Sequence, residues 1–117
     1  DKLLASNKVI EIKKEISSTV IIKISNIVIS MAYTSTCVEA LMMEKKAIYF
    51  DWNVSYPDSV FQKFENLVAS NSTELFDFFK YWLEMKDSDF IEYINTKFLP
   101  FYQGEYKLVN DPFLSLK

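Results

Sequence analysis

The sequence predicts an α/β domain with a small, mainly parallel sheet and helices on both faces, three layers in all. Three observations predict it. Short runs of β-branched residues alternate with stretches of helical periodicity. The gap from Ile12 to Asn26 is about a dozen residues, the length a crossover between parallel strands needs. Residues 26–51 read as strand, polar loop, helix and strand, so that the loop lies at a strand's carboxyl end and a helix's amino end.

Taken in order, Lys8 to Ile12 alternates apolar with polar residues and reads as a short strand. Lys13-Lys14-Glu15 is a polar connection. Ile16 to Ser25 is rich in β-branched residues, which prefer strands, but the crossover argument makes it a helix. Asn26 to Ser30 is the next strand. Ala32 to Thr36 is a hydroxyl-rich loop, and Cys37 to Glu44 is a helix with Val38, Leu41 and Met42 on one face. Lys46 to Phe50 is a second buried strand, closed by Asp51.

Asn53, Ser55, Pro57, Asp58 and Ser59 mark a loop that also carries Trp52 and Tyr56. Val60 to Phe64 reads as one helical turn, and Asn66 to Ala69 as a short apolar strand. Asn71 with Glu74 resembles a capping box for a helix running to about Lys86, with Leu75, Phe78, Phe79 and Trp82 on one stripe. Asp89 with Glu92 repeats that signal before a helix from Phe90 to about Tyr102, which carries Phe90, Ile91, Ile94, Phe98 and Phe101. Pro100 should kink or end it. From Gly104 onward no periodicity is clear, and Asp111-Pro112 marks a turn. Order and length give one domain over residues 1–117. The opening Asp1 suggests a fragment of a longer protein.

Composition excludes several classes. Half of the 117 residues are apolar, enough for a core, yet no apolar run approaches a membrane span. A lone cysteine, Cys37, rules out an internal disulfide. The net charge of −3 argues against general nucleic-acid binding. There is no histidine and every basic residue is lysine, so a histidine-based triad, a histidine-containing zinc site and an arginine clamp are excluded within the chain. The single Gly104 excludes Walker-type and GxGxxG loops.

Three features could carry chemistry. Thr34, Ser35 and Thr36 place hydroxyls beside the free N–H groups of a helix start, where a phosphate can bind; plain N-capping is the alternative, worth about 1 kcal/mol. Glu39 lies about one turn into the helix, within reach of ribose hydroxyls for a phosphate held at the loop. Counted from Thr36 it occupies the capping-box position, the simpler reading. Glu39, Asp51 and Asp58 could surround one cleft as general bases, although Asp51 also reads as a strand end and Asp58 as a turn start. The aromatic residues of the last two helices read as core, and Lys13 and Lys14 as a solvated pair.

The stretch NIVISMAYTSTCVEALMMEKKAIYFD resembles the nucleotide-binding half of two-domain GT-B glycosyltransferases with Rossmann-like domains. Among these it is most similar to bacterial surface or capsular polysaccharide biosynthesis proteins. The recurring elements are a strand ending as Asn26-Ile27-Val28-Ile29-Ser30 does, a Ser/Thr loop at Tyr33-Thr34-Ser35-Thr36, a helix containing Glu39-Ala40-Leu41, and a strand at Lys46 to Asp51. Residues 67 to 75 also fit, and the resemblance covers about residues 8 to 85.

The resemblance implies a nucleotide-sugar binding domain, the carboxyl-terminal half of a glycosyltransferase whose amino-terminal domain supplies the acceptor site. Tyr33, Thr34, Ser35 and Thr36 would contact the diphosphate and Glu39 the ribose. Lys14, Glu15 and Ile16 would lie against the base. The sugar nucleotide is substrate, no metal and no cofactor are implied, and the isolated domain is expected to be inactive. The implied place of action is the cytoplasm, at the inner membrane face where polymers are assembled, which suits peripheral membrane association of the full-length protein. The chain departs from the pattern in lacking loop glycines and an arginine. An NDP-sugar 2-epimerase shares the fold, but such enzymes use histidine and arginine in this half. A non-enzymatic Rossmann-like module that docks a partner is the other alternative.

Overall fold

The computed structural model describes residues 9–55 and 57–106. Helix α1 (Ser18–Ile24) leads to strand β1 (Ile27–Met31), helix α2 (Ser35–Met42) and strand β2 (Lys46–Phe50). Two 3-10 turns, Trp52–Val54 and Val60–Lys63, carry the chain to strand β3 (Val68–Ala69). Helix α3 (Ser72–Glu84) and helix α4 (Asp87–Tyr93) follow. The last helix continues through a π-helical turn (Ile94–Phe98), an α-turn (Leu99–Phe101) and a second π-helical turn (Tyr102–Tyr106).

The strands form one parallel sheet in the order β1-β2-β3, with Met31 opposite Phe50 and Phe50 opposite Ala69. This is the expected Rossmann-like α/β architecture. Central β2 is buried from Lys46 through Tyr49, as a parallel strand covered on both faces must be. Edge strand β1 leaves Ile29 and Met31 exposed. Ile22, Leu41, Ile48 and Leu67 join Trp82, Phe90, Phe98 and Phe101 in a single core. Helix α1 forms despite its β-branched residues: Ser17 accepts the Thr19 N–H at 3.2 Å as N-cap, and Ile22 is buried in the core.

The structure corrects four expectations. Residues 9–12 are not a strand, so the described sheet has three strands, not four; Val9, Ile10 and Ile12 are exposed and pair with no strand. Lys8, Tyr56 and the expected turn at Asp111-Pro112 lie outside the described residues. Helix α2 begins at Ser35, not Cys37, and ends at Met42. Its end is a Schellman motif: Lys45 N–H donates to the Ala40 carbonyl and Glu44 N–H to the Leu41 carbonyl, with Glu44 left-handed at φ 60°. Helix α4 starts at Asp87 behind Lys86, not at Phe90 behind Asp89. The buried Lys46 ammonium fixes that corner by donating to the Met85 carbonyl and pairing with Asp87. Pro100 does not end the last helix; the helix widens into a π-turn just before it, a form that re-routes hydrogen bonds around an interrupted ladder.

The α3 start falls at Asn71 as expected, with the return bond from Glu74 going to Ser70. The Asn71 side chain accepts the Glu74 N–H at 2.9 Å, while the Glu74 carboxylate accepts from the N–H and hydroxyl of Ser70. Trp82 is buried on the expected stripe and its indole N–H donates to the Asn66 carbonyl at 2.7 Å.

Candidate functional site

Strand β1 delivers the chain to the carboxyl edge of the sheet, and a tight turn starts α2 there. Thr34 N–H donates to the Met31 carbonyl at 3.0 Å, and the Thr34 hydroxyl donates to the same oxygen at 3.1 Å. Thr34 is the N-cap residue, yet its hydroxyl is turned back toward the strand and makes no capping bond. Ser35 and Thr36 therefore lie inside the first turn, Ser35 exposed and Thr36 half-buried. The result is a helix start whose cap side chain leaves the first-turn N–H groups to another acceptor.

That start is fixed by β2 and the segment after it. The Tyr49 hydroxyl, on a side chain only 1% exposed, donates to the Thr34 carbonyl at 2.8 Å. Ala32 N–H donates to the Phe50 carbonyl at 3.3 Å, and the Ala32–Tyr33 peptide is cis. The Tyr33 ring stacks on Phe61 at 5.7 Å and meets Tyr49 edge-on at 4.9 Å. Its hydroxyl donates to the Asp51 carboxylate at 3.4 Å and also meets the Ser59 and Gln62 side chains. Burial pushes the Tyr33 phenol above its ordinary value; the Ser59 hydroxyl opposes that and the Asp51 charge adds to it.

Asp51 is 3% exposed, and its other oxygen accepts the Ser55 N–H at 2.9 Å. Asp51 thus ties the loop before α2 to the turn after β2. Asp58 sits exposed on a turn and Glu39 exposed on α2, so these carboxylates occupy three different settings. The capping-box reading of Glu39 is corrected: with Thr34 as N-cap, the box position is Cys37, and Glu39 lies two residues beyond it. Cys37 is fully buried, and burial pushes its thiol up to about 12 against the pull of the Ser30 hydroxyl, so it is no nucleophile.

Lys14, Glu15 and Ile16 form an exposed turn ahead of α1, closed by Ile16 N–H donating to the Lys13 carbonyl at 3.1 Å. No strand precedes that turn among the described residues, so the βα junction expected there is absent. Sequence reasoning missed Tyr49, which the strand pattern explained as simple core. The signal that could have found it is the pair Tyr49 and Asp51, two residues apart and therefore on one side of the strand.

No curated protein and no solved structure matches the chain. The sequence model of a family described as polysaccharide biosynthesis PFTS motif protein matches residues 1–79. That span takes in the sheet, α1, α2 and more than half of α3. The chain belongs to the polysaccharide biosynthesis PFTS motif family, and its role lies in polysaccharide biosynthesis.

Proposed function

We propose that the chain is the nucleotide-sugar binding domain of a glycosyltransferase that builds bacterial surface polysaccharide. One observation carries the reading: the start of α2, at the carboxyl edge of a parallel sheet, presents hydroxyls and a first turn left uncapped by Thr34. Ligands of open α/β sheets lie at this edge, and a helix amino end offers N–H groups and a positive dipole end to phosphate. Read as residue letters, the motif in the family's description is similar to a stretch at this helix start, inside the matched residues. Ala32-Tyr33-Thr34-Ser35 keeps the Thr-Ser pair and an aromatic before it, with alanine where the motif has proline.

On this reading Tyr33 to Thr36 hold the diphosphate, and Glu39, one turn further and free of a capping role, accepts the ribose hydroxyls. Lys14, Glu15 and Ile16 lie toward the base. A second, amino-terminal domain supplies the acceptor, and the complete protein works at the cytoplasmic face of the membrane. Departure of the nucleoside diphosphate is eased by the α2 dipole and hydroxyls, which stabilise the developing charge.

The test is amide chemical shifts of the chain during separate titrations with CMP, CDP, UDP and GDP. Shifts centred on Tyr33 to Glu39 with one nucleotide support the reading and name the donor. Millimolar nucleotide with no response at these residues refutes it.

A further inference from the structure

The carboxylate of Asp51 is buried, yet it stands at the same sheet edge as the helix start assigned to an anion. A negative charge there opposes phosphate binding, so its presence calls for a compensating role. Its partners supply one. One oxygen accepts the Ser55 N–H at 2.9 Å and the other the Tyr33 hydroxyl at 3.4 Å. Tyr33 immediately precedes Thr34, the N-cap of α2, whose carbonyl is held by Tyr49 at 2.8 Å. The Tyr33 ring is also clamped between Phe61 and Tyr49.

We propose that Asp51 is a positioning residue for the anion site. Through Tyr33 it fixes where α2 begins and so where the Ser35, Thr36 and Cys37 N–H groups point. The proposal rests on the nucleotide-binding reading of α2 and adds a residue that does not itself touch the ligand. Hydrogen bonding, not charge, is what the role requires. Asn at this position keeps both bonds, its carbonyl accepting from Ser55 and its amide donating to the Tyr33 oxygen. Ala keeps neither.

The experiment compares wild type, Asp51→Asn, Asp51→Ala and Tyr33→Phe in the full chain. Two readouts are taken: amide shifts of Ser35 to Cys37 without ligand, and the dissociation constant for the nucleotide that wild type binds best. Asp51→Ala should move the Ser35–Cys37 amides and weaken binding roughly tenfold, with Asp51→Asn close to wild type in both. Tyr33→Phe, which keeps the ring packing, should shift the same amides and serves if Asp51→Ala does not fold. Unmoved Ser35–Cys37 amides in Asp51→Ala or Tyr33→Phe overturn the proposal. So does an Asp51→Asn variant that folds but behaves like Asp51→Ala. If wild type binds no nucleotide, the parent reading fails, while the ligand-free amide shifts still decide the positioning role.

Discussion

Replacing Glu39 with alanine separates the two roles that residue could play. As a capping-box member it would stabilise α2, and its loss would cost about 1 kcal/mol. For 117 residues, an unfolding entropy of about 2.1 cal/mol/K per residue gives ~0.25 kcal/mol/K, so 1 kcal/mol moves Tm by about 4 °C. The structure predicts otherwise. Glu39 is exposed, lies two residues past the box position, and Ala is a slightly better helix former. Tm should therefore change by less than about 2 °C in calorimetry. Nucleotide affinity should fall, because a carboxylate accepting from ribose hydroxyls contributes about 1.5–3 kcal/mol, or roughly 10- to 150-fold in Kd. Calorimetric titration of the variant against wild type reads that change. A Tm loss near 4 °C with unaltered affinity would refute the reasoning and restore the cap.

Three further outcomes follow from the packing. Glu44→Gly should raise Tm by about 2–4 °C, because Glu44 holds the left-handed position of a Schellman motif at φ 60°, where a side chain costs about 1 kcal/mol; a lower Tm would contradict this. Cys37 should resist iodoacetamide at pH 8 in the native state and react once denaturant is added, since its thiol is buried and pushed up to about 12; alkylation at the rate of a free thiol would contradict that burial. Glu74 carries a pH dependence. The Ser70 hydroxyl and N–H hold its carboxyl below the ordinary value, so the ionised form is the one favoured on folding. Its contribution is complete above the unfolded pKa and is lost as pH falls through the lowered folded value. Acid unfolding curves of wild type and Glu74→Gln should therefore converge at low pH; a constant gap would count against the Ser70 bond as the cause.

Much of the fold was legible because its signals were local. Asn71 and Glu74 marked the start of α3, and the apolar run Lys46 to Phe50 marked the central strand to the residue. Helix α1 formed as expected, though not as a crossover, since no strand precedes it among the described residues; Ile22 had a core to enter. The failures came where a distant partner decided. The alternation of residues 8–12 satisfied the strand pattern, but alternation alone does not make a strand, and residues 9–12 pair with neither edge of the described sheet. At the start of α4, Lys46, forty-one residues before Asp87, donates to the Met85 carbonyl and pairs with Asp87, contacts that no local pattern reveals. The Thr34–Thr36 loop was placed correctly at the sheet edge, but the cap was assigned two residues late. Three consecutive hydroxyls offer three equivalent caps, and distant contacts such as the Tyr49 bond to the Thr34 carbonyl choose among them.

On the proposed reading, that choice explains how a short edge loop without glycine is held for a ligand. Tyr49 and Asp51 lie two residues apart, so the pleat sends both side chains to one side of the sheet. One grips the Thr34 carbonyl and the other the Tyr33 hydroxyl. The central strand is buried from Lys46 through Tyr49, and the start of α2 is held by Tyr49 and, just past the strand's end, Asp51. Glycine-rich phosphate loops rely on backbone freedom to approach the ligand. On the proposed reading the approach is instead fixed by side chains anchored in the core, with the hydroxyls of Ser35 and Thr36 in place of the contacts a closer backbone would make. The consequence is a coupling between core and site. Tyr49→Phe should loosen α2's first turn, with faster amide exchange at Ser35 to Cys37, even though the substitution lies beneath the site and not in it.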